Sequence, residues 1–258
     1  MLFGKTLVIT GISSGIGARV GELAIALGAD VVGVDVKPPA APLGAFVKAD
    51  IASSQAIAEL VEALPRRIDA LCNVSGVGGA AKTLAINFYG LRALSEALAP
   101  RLRDGGAVVN VASIAGYGWS ANLERAKAFL APSGLPDIAA LLADFEVPDA
   151  EGYPLSKELL RLWTMRAAHQ PLFKERGLRV NAVSPGPVTT PILGEFRQVF
   201  GDPRVDEDIA RVGRAGTSAD IAPAVLFLCS DGARWINGAN LPVDGGLEAS
   251  INASVLGF

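Results

Sequence analysis

The sequence has little of several residue types, and each shortage argues against a class of site. Among its 258 residues there is one histidine, His169, and there are two cysteines, Cys72 and Cys229. The sequence therefore predicts neither a histidine-based catalytic triad nor a multi-histidine metal site, and no metal is expected. Two cysteines within apolar runs make no disulfide framework. We expect both to be buried thiols in a reducing cytoplasm.

Clustered positive charge and long apolar runs are also missing. Lysine and arginine number 23 against 26 aspartates and glutamates, a formal net charge of −3. Without a basic block the chain offers no broad surface for nucleic-acid phosphates. No apolar run reaches the roughly 20 residues that cross a bilayer, and a strand pattern beginning at Lys5 leaves no room for a signal peptide. We expect a cytoplasmic protein with no nucleic-acid or membrane partner.

Half of the residues are apolar, and they recur in short runs that alternate with helical patterns. Such runs are typical of a parallel sheet covered on both faces. The alternation predicts one α/β domain over residues 1–258, with a doubly wound, mostly parallel seven-stranded sheet and helices on both faces, as in a Rossmann fold. The predicted strands are Lys5–Thr10, Asp30–Asp35, Ala45–Ala49, Ile68–Val74, Ala107–Ala112, Leu178–Ser184 and Ala239–Val243. The predicted helices are 15–28, 53–64, 83–103, 154–174 and 217–230.

Two connections are longer than this alternation requires. Residues 118–150 lie between a strand and a helix, and two parts of this segment, Asn122–Leu130 and Asp137–Phe145, have helical patterns. We therefore expect a helical insertion there. Residues 185–216 form the second long connection. Because long connections in compact domains are often functional lids, we expect a substrate lid over about 187–216.

A glycine-rich turn follows the first predicted strand and opens the first predicted helix. Its residues Gly11, Gly15 and Gly17 would let the backbone approach a pyrophosphate closely. The free N–H groups at the start of the helix would bind the same anion. A turn without a ligand is the alternative, but the position between strand and helix favours a dinucleotide site. Ser13, Ser14 and Ile16 complete the turn.

Polar residues at the ends of later strands extend this predicted site. Asp35 ends the second strand, where a carboxylate accepts hydrogen bonds from a ribose diol and repels a 2′-phosphate. The next residue, Val36, brings no positive charge, and Lys37 follows one position later, so NAD is predicted rather than NADP. Four more residues lie along the carboxyl edge, where cofactors bind in open α/β sheets: Asp50, Ile51, Asn73 and Gly76.

Tyr153 and Lys157 form the pair with the clearest chemistry. A free tyrosine has a pKa near ~10 and is a poor base at neutral pH. A lysine one helical turn away lies on the same face and would stabilise the phenolate. A tyrosine tuned in this way can take a proton from an alcohol while a hydride leaves the carbon. Ser113, at the end of the fifth strand, would donate a hydrogen bond to the substrate oxygen.

Taken together, these motifs resemble the short-chain dehydrogenase/reductase family over almost the whole chain. The resemblance rests on Thr10–Gly17, Asn73, Gly76, Asn87, Ser113, Tyr153, Lys157, Ser184–Gly186 and Val243–Gly246. It implies that Tyr153 is the acid/base, that Lys157 lowers its pKa and binds the nicotinamide ribose, and that Asn87 holds a water in the proton relay. It implies a nicotinamide-binding segment formed by Pro185, Gly186, Val188 and Thr190.

The chain departs from the family pattern in three places. Residues 73–76 read Asn-Val-Ser-Gly, which keeps only the outer positions of the usual Asn-Asn-Ala-Gly. Pro154 directly follows the tyrosine and disfavours α geometry at Tyr153. Ser113 and Tyr153 are 40 positions apart, which is much longer than the family norm. In this long gap the chain resembles the bacterial 3α-hydroxysteroid dehydrogenase/carbonyl reductases and coniferyl-alcohol dehydrogenases.

Aromatic residues near the insertion and the lid predict a pocket for a hydrophobic or aromatic alcohol. The candidate walls are Phe88, Trp119, Phe145, Phe196 and Phe200, and ordinary core packing is the alternative for each. Three arginines in the lid region are expected to be solvated, with an acidic substrate as the alternative: Arg197, Arg204 and Arg211.

The sequence thus predicts an NAD-dependent alcohol dehydrogenase or carbonyl reductase for a small hydrophobic alcohol or its carbonyl. The same chemistry on a steroid or polyol is one alternative. An epimerase or dehalogenase is another, although dehalogenases of this lineage lack the glycines present here. A non-catalytic dinucleotide sensor is the third. Family members usually assemble through the tyrosine helix and the helix before it. The insertion would lie near that surface and change or block the usual tetramer contact, so we expect a homodimer.

Overall fold

The structure is a computed structural model that describes residues 2–78, 82–190, 193–194, 197 and 201–258. The strands are β1 (Thr6–Thr10), β2 (Asp30–Asp35), β3 (Ala45–Lys48), β4 (Ile68–Asn73), β5 (Leu102–Val111), β6 (Arg179–Pro185), β7 (Val188–Thr189), β8 (Gly216–Thr217) and β9 (Asn240–Val243). The helices are α1 (Gly15–Ala26), α2 (Ser54–Ala63), α3 (Leu91–Leu98), α4 (Leu123–Leu130), α5 (Ile138–Asp144), α6 (Gly152–Ala167), α7 (Pro171–Lys174), α8 (Asp202–Val212), α9 (Ser218–Cys229) and α10 (Leu247–Leu256).

Seven strands form one parallel sheet in the order β3-β2-β1-β4-β5-β6-β9. The strand order reverses between β1 and β4, where the chain crosses from one half of the sheet to the other. One core cluster packs α3 and α6 on the sheet, and the other packs α1 and α9 on it. The doubly wound fold predicted from alternating apolar runs is confirmed. Its reversal point is where open α/β sheets bind ligands.

The predicted helix 83–103 is three shorter segments. A π-helical turn spans Ala85–Gly90 and is followed by α3. A 3₁₀ turn at Ala99–Arg101 follows the end of α3. β5 then begins at Leu102, five residues before the predicted start, because Leu102 pairs with Ile68 ahead of an irregularity in the β4–β5 register. Pairing with a distant strand therefore overrides the local helical pattern here.

The predicted helix 154–174 is also divided, into α6 and α7. α6 begins at Gly152 and includes Tyr153 as a helical residue. Tyr153 is thus helical even though Pro154 disfavours α geometry at the residue before it. Pro154 is the third residue of the helix, where its missing N–H would have had no partner within the helix.

Four short elements were not predicted from the sequence. α8 and the β7–β8 pair lie within the long connection, and α10 follows the last strand of the sheet. Strands of two residues are too short to produce a periodic pattern. α10 begins after Gly246, which has a positive φ of 93°.

The insertion packs tightly on the body of the protein. The Tyr89 hydroxyl donates to the carbonyl oxygen of Phe129 at 2.7 Å, and Arg92 Nη1 donates to that of Leu130 at 3.2 Å. The Phe129 ring is fully buried among core residues of α6, including Leu159. α4 therefore covers the outer faces of the π-helical turn, α3 and α6. None of the described helices is long and apolar enough to cross a bilayer.

Candidate active site

The glycine turn joins the ends of β1 and β4. The Thr10 hydroxyl oxygen accepts hydrogen bonds from the backbone N–H groups of Val74 and Ser75, each at 3.0 Å. Gly11 has a positive φ of 71°, and a Cβ there would lie 2.8 Å from the backbone nitrogen of Ser75. A Cβ on Gly17 would overlap the carbonyl oxygen of Gly11. Both positions therefore require glycine if the two strand ends are to meet.

The N-terminus of α1 is suited to bind an anion. The N-cap residue, Ser14, has extended backbone geometry, but its side chain makes no capping hydrogen bond. The first turn of the helix contains no acidic residue. Its backbone N–H groups and the positive end of the helix dipole are thus available to a pyrophosphate.

Backbone hydrogen bonds hold the carboxylate of Asp35 beside this turn. Its Oδ2 accepts from the backbone nitrogen of Ser13 at 3.1 Å, and its Oδ1 accepts from that of Val36 at 2.7 Å. The Ser13 hydroxyl donates to the carbonyl oxygen of Lys37. These bonds join the end of β2 to the glycine turn and fix the position of the acid that was predicted to bind a ribose.

A groove of about 320 Å³ runs along these elements. A smaller cavity of about 70 Å³ continues it, and both are lined by Ile16, Val74, Gly76 and Val77. Together they extend from Asp35 past the N-terminus of α1 to Tyr153, and the free N–H groups of that helix suit the pyrophosphate of a dinucleotide. The predicted cofactor residues that line the groove are Gly11, Ser13, Ser14, Gly15, Ile16, Gly17, Asp35, Asp50, Ile51, Gly76 and Thr190. Those that line the smaller cavity include Tyr153, Lys157, Pro185, Gly186 and Val188.

Asn73 does not reach this site. Its side chain is fully buried and donates to Ser95 Oγ and Asn110 Oδ1, each at 2.8 Å. Asn110 in turn donates to Thr164 Oγ1 at 2.9 Å. The prediction that Asn73 contacts the cofactor is not supported, because the residue lies in a polar chain beneath the site that joins α3, β4, β5 and α6.

Lys157 and Tyr153 lie on α6 next to the end of β5. Lys157 Nζ donates to the carbonyl oxygen of Val111 at 2.9 Å and lies 5.6 Å from the centre of the Tyr153 ring. The 3₁₀ segment Ile114–Ser120 crosses α6 closely, since a Cβ on Gly116 would lie 2.7 Å from the carbonyl of Lys157. This close approach brings Ser113, the residue before the 3₁₀ segment, to the tyrosine.

Burial dominates the electrostatics of this pair. It raises the pKa of Tyr153 well above its usual value, while a hydrogen bond with Ser113 lowers it in part. Burial also lowers the pKa of Lys157 to about 7, because an ammonium group loses solvation there. Lys157 is therefore not among the groups that shift the pKa of Tyr153, contrary to expectation.

The π-helical turn presents Asn87 to the same region. Asn87 Oδ1 accepts from the backbone nitrogen of Val77, and its Nδ2 donates to the Val77 carbonyl oxygen, both at 2.9 Å. Nδ2 also lies 3.4 Å from Ser156 Oγ. A Cβ on Gly76 would lie 3.6 Å from Asn87 Oδ1 and 3.8 Å from Lys157 Nζ. The two predicted relay residues therefore meet around Gly76.

A third cavity, of about 330 Å³, lies next to the reactive residues. Ser113, Tyr153 and Gly186 line both this cavity and the small one that contains Lys157. The other described residues of its wall are Ile114, Ala115, Tyr117, Gly118, Pro154, Pro187, Leu193, Arg204, Val205, Asp208 and Ile251. The cavity is mostly apolar and opens onto a hydroxyl pair, as an alcohol-binding site requires.

Three of the five predicted aromatic walls are not among the described walls of this cavity. Phe88 is fully buried in the core, where its ring centre lies 4.8 Å from that of Tyr89. Trp119 packs against the same core cluster, and Phe145 packs on Phe129 at 5.2 Å between ring centres. Phe196 and Phe200 lie outside the described residues. Sequence reasoning missed Tyr117, four positions after Ser113, which lines the cavity together with Tyr153.

The three lid arginines differ in their surroundings. Arg197 forms ion pairs with Asp202 at 3.0 Å and Asp206 at 2.8 Å. Arg211 pairs with Glu207 on α8 at 3.0 Å. Arg204 alone among the three lines the third cavity. Its side chain is 65% exposed, against 32% for Arg197 and 36% for Arg211, so the expectation of a solvated side chain fits Arg204 best.

Comparison with known proteins agrees with this geometry. The family described as short chain dehydrogenase matches residues 5–124, and the one described as enoyl-(acyl carrier protein) reductase matches residues 136–248. A coniferyl-alcohol dehydrogenase from a Pseudomonas species is 39% identical, over 96% of this chain and 98% of that protein. The chain belongs to the short-chain dehydrogenase/reductase family. It is an oxidoreductase of the alcohol dehydrogenase/carbonyl reductase type, and its family uses a nicotinamide cofactor.

Two further relatives lie in the subgroup that the long serine-to-tyrosine gap suggested. A 3-alpha-hydroxysteroid dehydrogenase/carbonyl reductase from Comamonas testosteroni is 31% identical, over 94% of this chain and 96% of that protein. The crystal structure of the 3-alpha-hydroxysteroid dehydrogenase from Pseudomonas sp. B-0831 complexed with NADH superposes with a TM-score of 0.80. The two chains are 31% identical, and the match covers 96% of this chain and 99% of the chain in that crystal structure. The predicted family and subgroup are confirmed.

Proposed function

We propose that this short-chain dehydrogenase/reductase is an NAD-dependent enzyme that interconverts a hydrophobic or aromatic secondary or allylic alcohol and its carbonyl compound. The observation that carries the proposal is the position of Ser113 and Tyr153. On one side, both residues line the apolar cavity. On the other side, both line the small cavity that contains Lys157 and continues the groove proposed for the dinucleotide. A substrate oxygen bound between them has a hydroxyl donor and a proton acceptor at hand.

Four residues have separate roles in the proposed proton transfer: Tyr153, Ser113, Lys157 and Asn87. In oxidation, the alcohol O–H proton passes to Tyr153 as the C–H bond breaks, and Ser113 donates a hydrogen bond to the oxygen. When bound, NAD supplies the hydride acceptor. The positive charge of Lys157 near the Tyr153 ring would offset part of the burial that disfavours the phenolate. A water held at Asn87 returns the proton to solvent. The meeting of Asn87 and Lys157 around Gly76 supports this relay.

Asp35 supports NAD over NADP. Its two carboxylate oxygens are held beside the glycine turn by Ser13 and Val36, where the negative charge favours a ribose diol and repels a 2′-phosphate. Lys37 lines the same groove. Its positive charge works against this preference, so NADP belongs in every assay as the comparison cofactor.

A homodimer is the proposed assembly. The insertion covers α3 and α6 through Phe129 and the hydrogen bonds of Tyr89 and Arg92, so those helices are not free for the contact that most family members use. Light scattering of the purified protein at assay concentration is expected to give the mass of two chains. A tetramer would contradict the proposal.

A cytoplasmic location completes the proposal. The two buried thiols, Cys72 and Cys229, have their sulfurs 3.4 Å apart and are not bonded to each other. Neighbouring free thiols are consistent with a reducing compartment. Cell fractionation with an antibody against the protein tests this point, and recovery from an oxidising compartment would contradict it.

The decisive experiment is a substrate panel. NADH formation is followed by absorbance with aryl-allylic alcohols, hydroxysteroids and polyols, each with NAD and with NADP. Turnover of aryl-allylic alcohols with NAD is expected. A preference for steroids or polyols would support the same reaction but would contradict the proposed substrate. Binding of NAD without turnover of any alcohol or carbonyl would favour a dinucleotide sensor instead.

A further inference from the structure

The substrate cavity has a charged wall that the proton chemistry does not use. α8 contributes Arg204, Val205 and Asp208 to the lining. Among the described lining residues, Arg204 and Asp208 are the ones with charged side chains. The candidate reactive residues lie elsewhere, since Ser113 caps the 3₁₀ segment that follows β5 and Tyr153 belongs to α6. The charged pair is therefore free to act on a different part of the substrate.

Asp208 is the inner member of this pair. Its side chain is 18% exposed, whereas that of Arg204 is 65% exposed. The closest nitrogen and oxygen of the pair are 3.7 Å apart, beyond the usual length of a charge-assisted hydrogen bond. A carboxylate has about four lone-pair positions, so Asp208 keeps acceptor capacity on the cavity side. Burial raises the pKa of Asp208, so a new hydrogen-bond donor would stabilise its charge.

The neighbouring charges indicate which donor fits. Arg204 approaches the carboxylate on one side, and Arg211 lies one helical turn further along α8. Glu207 also acts on Asp208, and it pairs with Arg211. On the cavity wall itself the charge of Arg204 balances that of Asp208, so the wall has no net negative charge that would favour a positively charged substrate group. A neutral hydroxyl donates to a carboxylate without adding charge, and a phenol is a stronger donor than an aliphatic alcohol. A cavity of about 330 Å³ is near the lower end of ligand pockets, which suits one aromatic ring with a short side chain.

We propose that Asp208 is a specificity-determining residue that accepts a hydrogen bond from a phenolic hydroxyl, carried by the substrate away from its reacting carbon. The enzyme would then select hydroxyaryl-substituted alcohols over the same alcohols without the hydroxyl. This inference rests on the proposed alcohol dehydrogenase function of the same cavity. It assigns Asp208 no part in hydride or proton transfer.

Steady-state kinetics with a matched pair of substrates test the proposal. The wild type is expected to have a kcat/KM for 4-hydroxycinnamyl alcohol about 10- to 100-fold above that for cinnamyl alcohol, as for a hydrogen bond to a charged group. In Asp208→Ala this ratio should fall toward one, mainly through a higher KM for the hydroxylated alcohol. Glu207→Ala, which removes an exposed carboxylate outside the cavity on the same helix, should keep the wild-type ratio.

Several outcomes would overturn the proposal. They are a wild-type ratio near one, equal losses for both alcohols in Asp208→Ala, or the same loss in Glu207→Ala. Arg204→Gln breaks the ion pair but keeps the carboxylate. If it lowers the ratio as much as Asp208→Ala, the ion pair and not the carboxylate sets the preference.

A binding measurement separates this inference from the proposed reaction. Isothermal titration of both alcohols into the Tyr153→Phe variant with NAD gives dissociation constants that do not depend on turnover. Tighter binding of the hydroxylated alcohol, lost in Tyr153→Phe/Asp208→Ala, would support recognition by Asp208 even if the wild type oxidised neither alcohol. Equal dissociation constants would overturn it while leaving the reaction untouched.

Discussion

Lys157 Nζ donates a hydrogen bond to the carbonyl oxygen of Val111 at 2.9 Å, which ties α6 to the last residue of β5. The lysine is 4% exposed, and its ammonium is held above the tyrosine ring. One side chain thus positions α6 against β5 and places a titratable group beside Tyr153. Its burial also makes the protonation of Lys157 sensitive to pH near neutrality.

The first prediction concerns Tyr153. Replacement by phenylalanine removes the group that exchanges the proton, and kcat/KM should fall by roughly 10²- to 10⁴-fold, whereas the dissociation constant of NAD should change little. Tyr89→Phe is the matched control. It removes the hydroxyl of a buried tyrosine outside the site, costs about 1 kcal/mol of stability and should leave turnover near wild type. Full turnover by Tyr153→Phe would refute its assigned role.

The second prediction concerns cofactor choice. Asp35→Asn removes the charge that repels a 2′-phosphate, so the preference for NAD over NADP, measured as a ratio of kcat/KM values, should fall by about tenfold, the effect of roughly 1.4 kcal/mol. Asp30→Asn changes an exposed aspartate at the opposite end of the same strand and should keep the ratio. An unchanged ratio in Asp35→Asn would mean that other groups set the preference.

The third prediction concerns stability and pH. Burial holds the pKa of folded Lys157 at about 7, below the value of about 10.4 for a free lysine. Between these values the unfolded chain binds more protons than the folded one, so the free energy of unfolding rises with pH across this window. Below it, both states are protonated and the burial penalty is present in full.

The Lys157→Met variant lacks the lysine and therefore this pH dependence of the free energy of unfolding. The other titrating groups are the same in both proteins, so their contributions cancel when the two are compared. Urea unfolding of both proteins at pH 6 and pH 9 should show the wild type gaining on the order of 2 kcal/mol relative to the variant as pH rises. If the free energy of unfolding changed equally with pH in both proteins, the pKa of Lys157 in the folded protein would be that of an ordinary lysine.

The fourth prediction concerns the insertion. Phe129 is a fully buried residue of α4, and its ring partner Phe145 is 40% exposed. Phe129→Ala should lower the free energy of unfolding by about 3–5 kcal/mol, since it leaves a cavity in the core. Phe145→Ala removes a ring of the same size and should cost about 1 kcal/mol, as expected for the loss of a ring pair at the surface. Equal losses in urea unfolding would argue against the packing of α4 described above.

Several features could be predicted because their causes are local. The glycine turn was predictable, since positive φ at Gly11 and the close packing of Gly17 are requirements of a strand–turn–helix unit. Resemblance to the family identified Ser113, Tyr153 and Lys157, and the structure brings them together. The sequence left open what distant residues decide. Phe88 packs in the core, which was the alternative to a place in the cavity wall, and the side chain of Asn73 lies in a buried polar chain.

The sequence by itself determined the order of the seven strands of the sheet, the glycine turn and the candidate reactive residues, because periodicity and turn chemistry operate over a few neighbouring positions. Only the tertiary structure decided which side chains line the candidate substrate cavity and how strongly burial shifts the pKa of Tyr153 and Lys157. Asp208 and Ile251 line one cavity with Ser113, although long stretches of chain separate them. Contacts between such distant residues, and the loss of solvation that accompanies them, exist only once the chain has folded.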